Sequence, residues 1–334
     1  MDASAILAAL TSHRRPVLIP HRHPDGDAIG SALGLYHYLK ETGSAPVVVS
    51  PTDIPRTLAW LPGVSEIIVY TDTPDAAARA VQQADLIVFI DFGEIKRLDE
   101  LGELIGAHAA PRMLIDHHPH PKVTTQWQWW DPSAPATAYL IARLLWEAPA
   151  GLTPTVAECL LTGIVTDTGR FNYSTSAALF EVVGKLIEKG ADLEKIIERV
   201  FYRFREAQLR FWGEALSRKM TLFRDYHTAL MVVSRAELEA QGLQEEDLEG
   251  LVNFPLQMED VFISVLIRET AREVKLSFRS RGPYPVNRFA GEYFGGGGHF
   301  HAAGARSFQP LAEVVAFFEA SLPRFWQSLS ENTP

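Results

Sequence analysis

The stretch "HRHPDGDAIGS" (residues 21–31) follows the apolar run Val17-Leu18-Ile19-Pro20 and sets His21, Asp25 and Asp27 close together. Asp91 closes "LIVFID", and Asp116, His117 and His118 close "MLIDHH". Asp167 lies in "GIVTDTGRF", at the end of a helix-like apolar run. Carboxylate oxygens and imidazole nitrogens without a thiolate disfavour a structural zinc site and suit Mn²⁺, with Mg²⁺ or Co²⁺ as substitutes. A lone Asp after a strand usually caps a turn or helix. Three strand ends that each carry acid or imidazole fit capping poorly as a common explanation. The donors also exceed the needs of one ion. Two cations roughly 3.5–4 Å apart are the arrangement that suits phosphate-ester hydrolysis, because they neutralise charge at phosphorus and acidify a bridging water.

Such groups need a frame that collects them. Short apolar runs, "PVLIP", "PVVVS", "EIIVY", "DLIVFID" and "RMLIDHH", alternate with helix-like or loop-like stretches, the signature of βαβ units and a parallel sheet. The carboxyl ends of parallel strands share one edge, where ligands bind. Between 28 and 40, Ile29, Leu33, Tyr36 and Leu39 fall at helical spacing, with Gly43 as a stop signal. From about 153 to 210 the chain reads as helical. A second βα pattern starts near 227, and "PLAEVVAFFEASLPRFW" reads as its closing helix. The expected architecture is α/β: an N-terminal, mostly parallel-sheet domain over 1–185, a helical linker over 186–210, and a smaller C-terminal α/β domain over 211–330. The final "SENTP" is expected to fray.

Composition narrows the function. With 31 Lys and Arg against 41 Asp and Glu, the net charge is −10, which argues against a broad basic face for long duplex nucleic acid. A small positive pocket built around cations is compatible with that balance. The single cysteine, Cys159, lies in apolar "VAECLLTGIV", so it reads as a buried thiol in a reducing compartment. No apolar run reaches ~18 residues, and no leader pattern starts the chain. A cytoplasmic protein without membrane contact is the expectation.

Taken in order, "HRHPDGDAIGS", "FID", "IDHH" and "GIVTDTGRF" resemble the four motifs of the DHH phosphoesterases. "FGGGGHFHAAGA" resembles the glycine-rich signature of the DHHA1 domain that often follows. The two-domain layout is most similar to the NrnA-like branch of nanoRNases and 3'-phosphoadenosine-5'-phosphate phosphatases, which also includes enzymes acting on cyclic di-AMP or pApA. The resemblance implies one Mn²⁺ on His21, Asp25 and Asp91. It implies a second on Asp27, Asp91, His117 and Asp167, with Asp91 as the bridge. Asp116 would support the site by orienting a ligand histidine, and His118 would approach the scissile phosphate or leaving oxygen. His23 stands where relatives often have asparagine and reads as a bystander.

In the second domain, Arg279 and His299 would contact a substrate phosphate. The run Gly295 to Gly298 can bring backbone N–H groups close to an anion, which makes Gly296, Gly297 and Gly298 candidate substrate contacts. Asn287 either assists or caps the helix after Pro285. Arg170, beside Phe171, is a candidate nucleotide contact, whereas Trp127, Trp129 and Trp130 read first as strand packing. The implied activity is two-metal hydrolysis of short oligoribonucleotides, pApA and 3'-phosphoadenosine-5'-phosphate, with a homodimer as an open option. Three alternatives are a cyclic di-AMP phosphodiesterase, a RecJ-like single-strand DNA exonuclease, and a non-catalytic nucleotide sensor. The exonuclease would bring a more basic channel, and the sensor would have lost ligands.

Overall fold

A computed structural model describes residues 2–98, 100–148 and 151–331, so the last three residues of the expected frayed end lie outside it. The chain divides into two compact units, Met1–Arg203 and Phe204–Pro334. The segment 186–210 holds the end of one helix, a whole second helix and the start of a third. Among the described residues, no helix is long and apolar enough to cross a membrane.

The first unit runs α1 (Ala3–Ser12), β1 (Pro16–Pro20), α2 (Gly26–Glu41), β2 (Val47–Ser50), β3 (Ile68–Val69), α3 (Pro74–Gln82), β4 (Leu86–Ile90) and α4 (Glu100–Gly106). It continues with β5 (Arg112–Asp116), β6 (Trp127–Trp130), α5 (Thr137–Leu145), α6 (Pro154–Asp167), α7 (Ala177–Glu188) and α8 (Leu193–Phe201). The sheet order is β3-β2-β1-β4-β5-β6, and every neighbouring pair is parallel. β1 and β4 are buried at every position, as central parallel strands covered on both faces must be. Alternation sends Val17, Ile19 and Phe89 to the core shared with Ala77, Val81, Leu101 and Ile105. It sends Leu18, Val88 and Ile115 to the opposite core, with Ile29, Leu33, Leu160 and Ile164. The strand order reverses between β1 and β4, the switch point at which open α/β sheets form their crevice.

The packing of α2 on α6 completes the frame. Gly26, Gly30 and Gly34 recur every four residues and form a smooth stripe on α2. A Cβ on Gly30 would lie 2.5 Å from the Cys159 carbonyl oxygen and 2.8 Å from the Gly163 nitrogen, so only glycine admits this approach. The contact sets the N-terminal turn of α2 beside the C-terminal turn of α6. Asp27 and Asp167 become neighbours for that reason. Asp25 caps α2, its Oδ1 accepting the Ala28 N–H at 3.0 Å.

The second unit contains α9 (Glu206–Glu214), β7 (Met220–Phe223), β8 (Thr228–Val233), α10 (Arg235–Ala240), β9 (Ile263–Glu269) and β10 (Val274–Ser280). It ends with α11 (Val286–Phe294), β11 (Gly297–His299), β12 (Ala302–Ser307) and α12 (Leu311–Glu331). The order is β11-β12-β10-β9-β8-β7, antiparallel except between β8 and β9. Val274, Leu276 and Phe278 alternate inward along β10 and pack with Phe289, Phe318 and Phe325 from the two helices on that face. The Phe289 and Phe325 rings stack with centroids 4.4 Å apart.

Candidate metal centre

Asp91 occupies the residue after β4, at the switch point, with its backbone in the left-handed region (φ 66°). Asp tolerates that conformation better than most residues. Its N–H donates to the Ile115 carbonyl at 3.0 Å, which fixes the turn against β5. The carboxylate thereby stands between two histidines: Oδ2 is 3.6 Å from His21 Nε2 and Oδ1 is 3.6 Å from His117 Nε2. Asp25 Oδ2 lies 4.0 Å from His21 Nε2. His117 Nε2 also faces Asp167 Oδ2 at 3.5 Å and Asp27 Oδ2 at 3.9 Å. The resulting groups able to hold a cation are His21 with Asp25 and Asp91, Asp27 with His117 and Asp167, and Asp91 with His117 and His118.

Ring orientation separates the three histidines. His21 Nδ1 sits 2.8 Å from the Arg22 carbonyl, and His117 Nδ1 sits 3.0 Å from the Ala134 carbonyl. A carbonyl only accepts, so each Nδ1 carries the proton and each Nε2 turns a lone pair toward the carboxylates. His118 differs in turning Nδ1, not Nε2, toward the carboxylates. Its Nδ1 pairs with Asp116 Oδ1 at 2.9 Å, and the same oxygen accepts the His118 N–H at 3.0 Å. Asp116 therefore orients His118, itself a member of one of the three groups, whereas His117 is oriented by a backbone carbonyl. Among the described residues, Asp116 Oδ2 is buried with no hydrogen-bond partner, which makes this carboxylate an unusual one.

The carboxylates are crowded and largely out of water. Asp27 and Asp91 are each only 1% exposed, whereas Asp167 keeps 31% of its side chain in solvent. Burial first, and then the charges of Asp91, Asp167 and Asp25, push the Asp27 carboxyl well above the usual range. Burial, with Asp25 and Asp91, pushes Asp167 up to about 7 against the opposing pull of His117. Burial would raise Asp91 too, but His21, His118 and His117 outweigh it and hold the carboxyl below its usual range. His117 loses basicity by burial and regains more from Asp91 and Asp167, so its pKa is raised.

Donor geometry fits divalent cations. Nε2-to-oxygen separations of 3.5–4.0 Å are too long for hydrogen bonds. Ligand atoms that share a cation at about 2.1 Å fall roughly 3–4 Å apart, which is the spacing found here. The crowding of Asp27, Asp91 and Asp167 is also the kind of arrangement that positive charge relieves.

Two contributors escaped the sequence reading. Asp27 is gripped by the first turn of α5, with the Thr137 N–H donating to Oδ2 at 2.6 Å and the Ala138 N–H to Oδ1 at 2.8 Å. The Thr137 hydroxyl donates to Asp91 Oδ1 at 2.8 Å. Trp130 donates its indole N–H to the His118 carbonyl at 2.8 Å and so steadies the segment carrying His118. Backbone donors leave no mark on residue type, which hides the first of these. His23 takes no place in the three groups and has a left-handed backbone.

The remaining candidates divide between the units. Arg170 is exposed and stacks its guanidinium 5.0 Å from the Phe201 ring. In the second unit, Arg279 and His299 both pair with Ala302, on opposite sides of it, in one row across three strands. Alternation puts that row on the face opposite Phe278 and Ala303, away from the α11–α12 core. Asn287 Oδ1 accepts the Arg288 N–H at 2.9 Å, a local bond at the start of α11. The glycine run becomes an edge strand: Gly297, Gly298 and His299 pair with Gly304, Ala303 and Ala302. Gly298 has φ 145°, and a Cβ there would lie 2.5 Å from the Ala302 oxygen, so strand packing alone demands this glycine. Gly296 likewise abuts the Gly304 carbonyl, whereas Gly297 faces open space. Burial pushes the Cys159 thiol up, out of nucleophilic range.

Residues 16–164 match the DHH family, N-terminal domain, and residues 229–324 match the DHHA1 domain. The bifunctional oligoribonuclease and PAP phosphatase NrnA of Thermus thermophilus is 32% identical over 287 residues, 85% of this chain and 82% of that protein. The chain belongs to the DHH family. The NrnA protein of Bacillus subtilis is 28% identical over 86% of this chain and 88% of its own. A crystal structure of an exopolyphosphatase-related protein from Bacteroides fragilis superposes with a TM-score of 0.94 at 33% identity, covering 98% of this chain and 97% of that one. The fold is thus shared with that solved structure over nearly the whole chain.

Proposed function

We propose that this DHH-family chain is a manganese-dependent phosphoesterase that hydrolyses short oligoribonucleotides such as pApA and dephosphorylates 3'-phosphoadenosine-5'-phosphate. The observation that carries the reading is the Asp91 carboxylate, with one oxygen toward His21 and the other toward His117. The activities named for the NrnA relatives agree with it. In this reading His21, Asp25 and Asp91 hold one ion, and Asp27, Asp91, His117 and Asp167 hold the other. Bound divalent cations supply charge neutralisation at the phosphoryl group and a more acidic water.

The chain's own residues do the rest. Asp116 stabilises a cationic His118 and keeps the proton on Nδ1, so His118 Nε2 is the atom that passes a proton to the departing ribose oxygen. Burial of Asp27 and Asp91 keeps bulk water from loosening the carboxylates. Residues 1–185 form the hydrolytic domain in this account, 186–210 join, and 211–330 bind substrate. Arg279 and His299 take a substrate phosphate, Arg279 through its planar fork. The acidic balance offers no track for a long polymer, and a reducing cytoplasm suits the lone Cys159.

The test is turnover. Purified protein with Mn²⁺ is offered pApA, a five-nucleotide RNA, 3'-phosphoadenosine-5'-phosphate and cyclic di-AMP. The expected order puts pApA and the short RNA well ahead of cyclic di-AMP. Preference for cyclic di-AMP would move the assignment to that substrate, and tight binding without hydrolysis of any would make the protein a sensor.

A further inference from the structure

We propose that Thr137 is the positioning residue that sets the spacing of two carboxylates of the centre, Asp27 and the bridging Asp91, and through it the affinity of the centre for metal. The inference rests on the metal-centre reading above.

Thr137 is fully buried and opens α5. Its two donors go to different carboxylates: the N–H to Asp27 Oδ2 at 2.6 Å, and the hydroxyl to Asp91 Oδ1 at 2.8 Å. One residue therefore ties together side chains that come from α2 and from the end of β4. The helix itself does not explain the hydroxyl. Ala136 occupies the N-cap position and makes no side-chain cap bond, so the open N–H groups of Thr137 and Ala138 are satisfied by Asp27 from another helix. The threonine hydroxyl is left for Asp91 alone, where it fixes which oxygen faces His117 and which faces His21. A β-branched side chain at a helix start has few rotamers, so the hydroxyl is held in place without a search.

The orientation matters because both carboxylates lie about 1% exposed, where water cannot substitute for a missing donor. Groups that orient metal ligands typically govern affinity by about 10–100-fold. Thr137→Val keeps the shape and both backbone bonds while deleting the single O–H donor. Thr137→Ser keeps the donor and loses one methyl.

The experiment measures the Mn²⁺ dissociation constant by titration calorimetry on the metal-free full chain, with its thermal midpoint taken alongside. Thr137→Val is expected to bind Mn²⁺ about 10–100-fold more weakly, with Thr137→Ser within about threefold of wild type. A constant for Thr137→Val equal to wild type overturns the inference, as does Thr137→Ser weakened as much as valine, because that effect would be packing. Should the valine variant not fold, Thr137→Ala supplies the same comparison with the same expected and contrary results. Failure of the wild type to bind Mn²⁺ at all overturns the metal-centre reading itself, a different outcome from wild-type binding that the variants leave unchanged.

Discussion

Gly30→Ala tests whether helix packing, rather than the ligands alone, builds the site. The added Cβ would stand 2.5 Å from the Cys159 carbonyl oxygen and 2.8 Å from the Gly163 nitrogen, both backbone atoms that cannot rotate away. Reaching ordinary contact near 3.4 Å requires α2 and α6 to separate by about 0.9 Å. Overpacking of this kind costs about 1–3 kcal/mol. Alanine's better helix propensity returns about 1 kcal/mol. With backbone on both sides of the clash, the upper end applies, and a net loss of about 2 kcal/mol is expected. That corresponds to roughly 4–8 °C in thermal midpoint for a unit of this size. The same displacement separates Asp27 from Asp167, and a shift near 1 Å in a catalytic constellation can cost ~100-fold in rate. The assays are differential scanning calorimetry and kcat/KM on pApA with saturating Mn²⁺. Gly184→Ala, where a Cβ meets nothing within 4 Å, is the control and should be neutral or slightly stabilising. A Gly30→Ala protein as stable and as active as wild type would refute the argument that glycine approach aligns the two aspartates.

Other outcomes follow from the same geometry. Asp116→Asn should lower kcat by about 10²–10⁴-fold, because the His118 tautomer and imidazolium lose their partner, while manganese content stays near wild type; an unchanged kcat contradicts the role given to His118. Arg279→Ala should raise KM for pApA with manganese binding unaltered, and a fall in manganese binding would contradict its assignment. In metal-free protein, Asp27 and Asp167 are raised above their unfolded values, so the stability they contribute is complete below about pH 4 and is lost at higher pH, for Asp167 as pH rises through about 7. His117, also raised, loses its contribution in the same direction as pH rises. Cations must displace those protons, and the gain in thermal midpoint on adding Mn²⁺ should therefore grow between pH 5 and pH 8. Equal gains at both pH values would show that the three groups are not crowded as described.

Residue type and position made much of the candidate site legible in the sequence. His21, Asp91 and Asp116 follow or end apolar runs, and a parallel sheet must bring adjacent strand ends together, as β1, β4 and β5 do. Asp167 was legible as the end of an apolar helix, which α6 is. What stayed hidden depends on partners remote in sequence. Thr137 and Ala138 reach Asp27 through backbone N–H groups that any residue carries. Asp116 could have oriented either neighbouring histidine, and only the turn after β5 decides for His118. The glycine run in the second unit read as an anion-facing stretch, yet Gly296 and Gly298 are required by the close approach of β12. The four-residue spacing of Gly26, Gly30 and Gly34 was visible in the sequence, but its meaning needs α6 as the facing surface.

The number of manganese ions bound per chain tests the central claim most directly. Metal-free protein titrated with Mn²⁺, followed by elemental analysis after removal of free ion, should hold two equivalents, falling sharply in Asp91→Ala while the fold is retained. One equivalent or none in the wild type, or two in Asp91→Ala, would contradict a centre built around a carboxylate shared between His21 and His117.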